Sequence, residues 1–307
     1  MNTVAMNTPD ETWTRRYDQL SVRTPRSIGR GWVLDALAWG DRLSVRRTTT
    51  RPNVQILLLH HVFADEVDDF RRLIAGLADG YDFVSYTEAV RIASGETARD
   101  RDCLAFSFDD GLKSCLTAAR VLEEFNATAC FFVCPSVVGL TDHRVIERFC
   151  RDRLGMPATE LMGWADLERL ASCGHEIGNH TMRHPRVANL AVDEMAEEIG
   201  AAHEVLAGRF GVRPHFAWPY GKLADFNALA ARVARDVGVR SIASGVRGAH
   251  RIGPPIESLR PAPLLRRQSL VAGWPIRHGR HFLRHAASKA LSPADSWPKG
   301  WVERRAA

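Results

Sequence analysis

Hydrophobic positions along the chain fall into short unbroken runs separated by longer segments of helical period. Gln55-Ile56-Leu57-Leu58-Leu59 carries no charge, and Asp102 to Phe108 is nearly as apolar. Runs this short and continuous read as strands buried on both faces. The second of these runs is placed at Leu104 to Phe108, and further strands are predicted over Asp82 to Ser85, Thr128 to Val133, His175 to Gly178 and Arg240 to Ala243. Between them, apolar residues recur at helical spacing over Asp68 to Ala78, Thr87 to Ala93, Lys113 to Phe125, Trp164 to Ser172, Val192 to Phe210 and Asp225 to Val237. Strands alternating with helices of this length predict an α/β fold with a parallel sheet and crossover helices.

Polar residues of catalytic type cluster where the strands end, the place an α/β fold reserves for its site. His60 and His61 follow the first run, Asp109-Asp110-Gly111 follows Phe108, and the short strand at 175–178 delivers Asn179 and His180, with His184 four residues on. An isolated Asp-Asp-Gly is a solvated turn with a helix cap, and an isolated His-x-x-x-His is a surface pair. Together they offer more. Two imidazoles and one carboxylate make a triad that leaves coordination positions open for water and substrate. The second aspartate is then spare to take a proton.

Phe106-Ser107-Phe108-Asp109-Asp110-Gly111, His180-Thr181-Met182-Arg183-His184 and Phe216-Ala217-Trp218-Pro219-Tyr220-Gly221 stand in the order found in polysaccharide deacetylases. The chain resembles that family, with its NodB-homology fold, carbohydrate esterase family four, over roughly Val54 to Pro263. The resemblance implies a distorted, incomplete (β/α) barrel of about seven parallel strands. It implies Asp109 as catalytic base, Asp110, His180 and His184 as ligands of Zn2+ or another divalent metal, and Tyr220 in support of the oxyanion. Pro219 and Trp218 belong to the loop lining the acetyl pocket.

Two departures stand out. Many members carry an arginine before Pro-Tyr-Gly that pairs with the base; here Ala217 and Trp218 occupy those positions, and Arg260 is the candidate for that place or, equally, for a surface or substrate-phosphate contact. The late Leu-x-His element that supplies a general acid is absent after Tyr220. His60-His61-Val62 resembles the Tyr-His-x-Val opening of circularly reordered members, which makes His60 the candidate acid and His61 a rim residue.

Composition narrows the setting. The 307 residues are 45% hydrophobic and 25% charged, enough for a large core. Six scattered cysteines lack a Cys-x-x-Cys pair, so neither a disulfide framework nor a zinc-thiolate site is expected. No basic-then-apolar signal peptide opens the chain, and no stretch reaches the length of a membrane span, so a cytoplasmic location, peripheral at most to the inner membrane face, is expected. Trp32 to Val45 reads as a short amphipathic helix packed on the barrel.

The net charge is +5, and no acidic residue falls between Glu257 and Asp295. A nucleic-acid partner is disfavoured, because no recognition module or interleaved aromatic platform accompanies the basic stretch. An anionic membrane surface or a lipid-phosphate-linked sugar suits it better. Pro275 to Leu291 is expected to form an interfacial helix, with Arg277, Arg280 and Arg284 on one side and Phe282, Leu283, Ala286 and Ala290 on another. The expected organisation is an extension over 1–52, a catalytic domain over 53–265 and a basic extension over 266–307.

The resulting expectation is a zinc-dependent hydrolase that removes an N-acetyl group from an amino sugar of a cell-surface saccharide. A deformylase or deacetylase of a lipid-linked amino sugar, an O-acetyl esterase and a non-catalytic saccharide-binding protein are the alternatives.

Overall fold

A computed structural model describes residues 13–20, 34–35, 37, 39, 52–253, 262–291, 297–298 and 300–301. Its centre is a parallel sheet. Strands β1 (Asn53–Leu59), β3 (Cys103–Phe108), β4 (Ala129–Val133), β5 (Glu176–Asn179), β6 (Phe216–Ala217), β7 (Ile242–Ala243) and β9 (Leu264–Leu265) pair side by side in that order. Strand β10 (Gln268–Ser269) pairs with the free edge of β1, Leu57 opposite Gln268. Only Arg266 and Arg267 separate β9 from β10, so the two ends of the sheet are tied together and the barrel is nearly closed. The short strand β2 (Asp82–Phe83) pairs with the start of β3, and β8 (His250–Arg251) runs antiparallel to the start of β1.

Every residue of β1, β3 and β4 is buried, as expected of strands enclosed on both faces. Side-chain alternation divides them. Val54, Ile56, Cys103, Ala105, Cys130, Phe132, Ala217, Ala243 and Leu265 fill the barrel interior, many of them small. Leu57, Leu59, Leu104, Phe106, Phe108, Phe131 and Ile177 face the helices outside. Helix α1 (Val67–Ala78) meets them with Phe70, Leu73, Ile74 and Leu77, the stripe its periodicity announced. Helix α2 (Tyr86–Ala93) starts at Ser85, whose hydroxyl accepts from the Glu88 amide.

The predicted helices 164–172 and 192–210 agree with the structure residue for residue. The helix expected from Asp225 begins later, at Ala228, because Leu223–Asp225 forms a separate 3-10 turn and the Asn227 side chain caps the Ala230 amide. All six cysteines are free thiols, five of them buried. Arg260 and most of 32–45 lie outside the described residues.

The terminal helix α8 (Ile276–Ser288) forms as expected, but its apolar face is already covered. Leu283, Ala286 and Ala290 are buried, and Phe282 stacks on Trp274 with ring centroids 5.0 Å apart. Its contact with α1 is close: a Cβ on Gly76 would lie 2.7 Å from Ile276 Cγ1, and Arg280 donates to the Gly76 carbonyl at 2.6 Å. Most of the side expected to enter a lipid surface is packed on protein instead, and Phe282 and Ala286 also border a cavity. Hydrophobic periodicity reports burial without distinguishing a bilayer from a neighbouring helix. The sheet likewise continues past the boundary expected at 265, through β10. No described helix is long and apolar enough to cross a membrane.

Gly178 pairs with Phe132 on the neighbouring strand, where the lack of a side chain leaves room for the ring. A Cβ there would come within 2.6 Å of Phe132 Cε1 and 3.0 Å of Cys130 Sγ. Gly178→Ala should therefore destabilise the fold by ~1–3 kcal/mol through overpacking. Chemical denaturation at constant slope is the measurement, and an unchanged midpoint would show that Phe132 yields freely.

Candidate active site

The interior positions continue beyond the strand ends, and there they change from apolar to polar. Val54 and Ile56 lead to Leu58 and His60, Cys103 and Ala105 to Ser107 and Asp109, Gly178 to His180, and Leu265 to Arg267. A cavity of about 250 Å³ opens at this end, lined by His60, Asp109, Asp110, His180, His184, Tyr220 and Arg267, with Arg153 and Leu154 at its side.

Asp109 and Asp110 are both buried yet differently partnered. Asp109 receives a bidentate pair from Arg267, 2.7 Å to each carboxylate oxygen. Arg267 has no exposed surface; its Nε donates to the Ser244 carbonyl at 2.7 Å, and one terminal nitrogen also reaches Ser107 Oγ at 3.3 Å. Burial alone would raise the Asp109 pKa, but the charge of Arg267 and its hydrogen bonds outweigh it and hold the carboxyl below its usual range.

Asp110 faces the histidines. Its Oδ1 lies 3.4 Å from His180 Nε2 and 3.2 Å from His184 Nε2. Asp109 is farther off, 4.0 Å from His180 Nε2. His180 Nδ1 lies 2.8 Å from the Ala217 carbonyl. A carbonyl can only accept, so Nδ1 carries the proton and Nε2 presents its lone pair. One carboxylate oxygen and two imidazole nitrogens thus converge, all ligand atoms within 4.8 Å of one another. The set fits a divalent cation with open positions, and the buried, unpartnered Nδ1 of His184 marks this as a polar centre rather than a closed hydrogen-bond network.

The backbone here is forced. Among the described residues, five non-glycine positions have left-handed φ: Asp110, Thr181, His184 and Tyr220 stand at this site and Asn126 lies elsewhere. Thr181 Oγ1 accepts from the His184 amide and Asn179 Oδ1 from the Thr181 amide, so side chains hold the turn that sends both imidazoles inward. Gly221 has φ +68 and lies against Gly245, whose amide donates to its carbonyl at 2.8 Å; a Cβ would fall 2.5 Å from that nitrogen. This contact sets the loop carrying Tyr220.

The sequence-predicted residues are sorted by this geometry. His60 sits exposed at the cavity wall, whereas His61 turns away to Glu66 Oε2 at 3.0 Å. His250 is fully buried, and burial pushes its pKa down to about 4. Trp218 corrects expectation: it has no exposed surface, stacks on Phe226 at 4.4 Å and packs against Trp297 and Trp301, outside the cavity lining. Pro219 is buried and does not line the cavity either. Both belong to the support beneath the Tyr220 loop. Arg267, which fills the place sought for Arg260, escaped the sequence reading because a two-residue strand gives no periodic signal and left it in the basic tail. The signal was there in Leu264-Leu265-Arg266-Arg267, an apolar pair ending in charge as at His60 and Asp109.

Comparison with known proteins agrees with this geometry. A family model for polysaccharide deacetylase matches residues 96–242. The chain is 30% identical over 173 residues to the chitooligosaccharide deacetylase of Azorhizobium caulinodans, covering 54% of this chain and 70% of that protein. It belongs to the polysaccharide deacetylase family. Another relative, chitin deacetylase 1 of Cryptococcus neoformans, is 32% identical over 138 residues, 44% of this chain and 24% of its own length. Among solved structures, IcaB from Ammonifex degensii superposes with a TM-score of 0.60 at 19% identity, over 75% of this chain and 97% of that one. The Streptococcus pyogenes deacetylase PplD, solved with acetate, gives 0.61 at 16%, over 77% and 99%. The deacetylase barrel is therefore the fold, and hydrolysis of an amide bond is the chemistry of the family.

Because Arg267 is the charge partner of a buried carboxylate, Arg267→Met should cost ~3–5 kcal/mol of stability by leaving Asp109 uncompensated. Adding Asp109→Asn to it should restore most of that loss. Thermal unfolding of the two single variants and the double variant measures the coupling; strictly additive effects would deny the pair.

Proposed function

We propose that the chain is a metal-dependent N-deacetylase of an amino sugar in a cell-surface saccharide, with Zn2+ or a similar divalent ion in the Asp110, His180, His184 site. The observation that carries this reading is the separation of the two aspartates. Asp110 points to the histidines while Asp109, one residue away, is ionised and clamped by Arg267 outside that cluster. A relic that only bound saccharide would have no use for both. The names of the relatives support the substrate class: chitooligosaccharide and chitin both present N-acetylated amino sugars.

A bound divalent ion would act as Lewis acid toward the amide carbonyl and acidify the attacking water. Asp109 accepts the proton of that water. Arg267 lowers the basicity of Asp109 but fixes both oxygens, so the residue works through orientation and depends on the water being acidified. The loop at Tyr220 and Gly221 borders the place where negative charge develops on the former carbonyl oxygen. His60, at the exposed wall, protonates the departing amine, a step worth about 10²–10⁴-fold because an amine leaves poorly as its anion.

Substitutions separate these roles. Asp110→Ala or His180→Ala should lose metal and turnover together, whereas Asp109→Asn should keep metal and lose most turnover on N-acetyl chitooligosaccharides. Elemental analysis beside a mass-spectrometric assay decides it, and equal metal loss in Asp109→Asn would end its assignment as base. His60→Ala should retain metal and slow amide hydrolysis by about 10²-fold or more, with a smaller loss on an activated acetate ester whose leaving group needs no proton. His61→Ala serves as the control. An effect of His61→Ala equal to that of His60→Ala would move the acid elsewhere, and a natural O-acetyl sugar turned over faster than its N-acetyl counterpart would favour an esterase.

A further inference from the structure

The seam that closes the barrel has two sides. Arg267 and Ser269 line the catalytic cavity, and the alternate residues Arg266 and Gln268 line a second cavity of about 450 Å³ on the outer face. The second cavity is bounded by the last turns of α8 and by the loop 247–249. Its walls include the apolar side chains of Phe282, Ala286 and Leu291, its cations are Arg247, Arg266 and Lys289, and His285 stands beside them. No carboxylate lines it among the described residues.

The arrangement is that of a site for an amphiphile with an anionic head. Pockets of this size with apolar walls and a few placed polar groups accept small organic ligands. Leu291, a large apolar side chain, is 43% exposed at its edge. The arginines are held against rings: the Arg247 guanidinium lies 4.8 Å from the Phe282 centroid and that of Arg266 lies 5.2 Å from Trp297. Such stacking reduces the rotamer entropy lost when a guanidinium grips an oxyanion. The sequence adds no acidic residue between Glu257 and Asp295, so the stretch that supplies α8 and the seam is basic. None of these side chains lines the catalytic cavity, and the face of α8 already packed on α1 is a different one.

We propose that this cavity seats an acyl chain of an anionic membrane phospholipid, with its phosphate among Arg247, Arg266 and Lys289, and that it docks the barrel on a bilayer. Charge alone would give weak, salt-sensitive adhesion, and the apolar walls supply the buried area that makes attachment specific. The inference does not depend on the reaction proposed above. It replaces the interfacial helix expected from periodicity: α8 contributes one wall of a groove and does not lie in the bilayer itself.

The test is co-sedimentation of the full metal-loaded chain with vesicles of phosphatidylcholine alone or mixed with phosphatidylglycerol, at low and high salt. Binding is expected only with phosphatidylglycerol. It should fall at least tenfold both in the double variant Arg247→Glu, Lys289→Glu and in Leu291→Asp. Those positions are exposed, so melting temperatures should stay within a few degrees of wild type and loss of binding would not report unfolding. Glycerol phosphate in solution should not displace the vesicles. Equal binding to both vesicle types, or variants that bind like wild type, would overturn the proposal. Displacement by glycerol phosphate would reassign the site to a free phosphate, and a Leu291-dependent dimer in size-exclusion chromatography would reassign it to a second copy of the chain.

Discussion

Two adjacent carboxylates are buried at the mouth of a barrel, and the surroundings are arranged to hold them ionised. An unpaired buried carboxylate costs several kcal/mol or takes up a proton. Asp109 avoids both outcomes through the bidentate pair with Arg267, and that arginine is in turn satisfied by the Ser244 carbonyl and Ser107 Oγ. Asp110 turns its Oδ1 to the Nε2 atoms of His180 and His184, and the three groups together fit a divalent cation. Neighbours in sequence are thus divided by their environments into a fixed anion and a ligand.

The closure of the barrel depends on the same pair. Arg267 stands between β9 and β10, the two strands whose meeting completes the sheet, and its amide donates to the Val246 carbonyl at 3.2 Å. Its side chain reaches across the interior to β3 on the far side of β1. Shape and charge therefore support each other: the barrel can bury Arg267 because Asp109 neutralises it, and Asp109 is aimed because the seam is closed. Residues on the other side of that seam, Arg266 and Gln268, line the second cavity, so one short stretch of backbone serves both.

Among the described residues, backbone strain gathers at the same end. Four left-handed non-glycine residues lie at the site, each costing of order 1–3 kcal/mol, and the hydrogen bonds of Asn179 and Thr181 and the close approach of Gly221 to Gly245 hold them in place. Trp218, which is part of the motif but not of the cavity, acts from beneath: its stack with Phe226 and its indole bond to the Lys222 carbonyl fix the base of the loop that bears Tyr220. A motif residue can thus be needed for position without touching the substrate.

The sequence alone determined the elements that are long or strongly patterned, because hydrophobic period is a local property. Strands β1 and β3, helices 164–172 and 192–210, and the polar positions His60, Asp109, Asp110, His180 and His184 at strand ends all follow from it. Only the tertiary structure decided what the charged and aromatic residues at the periphery do. Arg267 reads as tail until two-residue strands place it opposite Asp109, which is 158 positions away. Trp218 reads as a pocket wall until the aromatic cluster around Trp301 encloses it. The apolar face of α8 reads as lipid-seeking until Ala249 and Trp274 pack against Ala286, Ala290 and Phe282. In each case the deciding contact is long in sequence and short in space, and a pattern along the chain records that a surface is buried without recording what buries it.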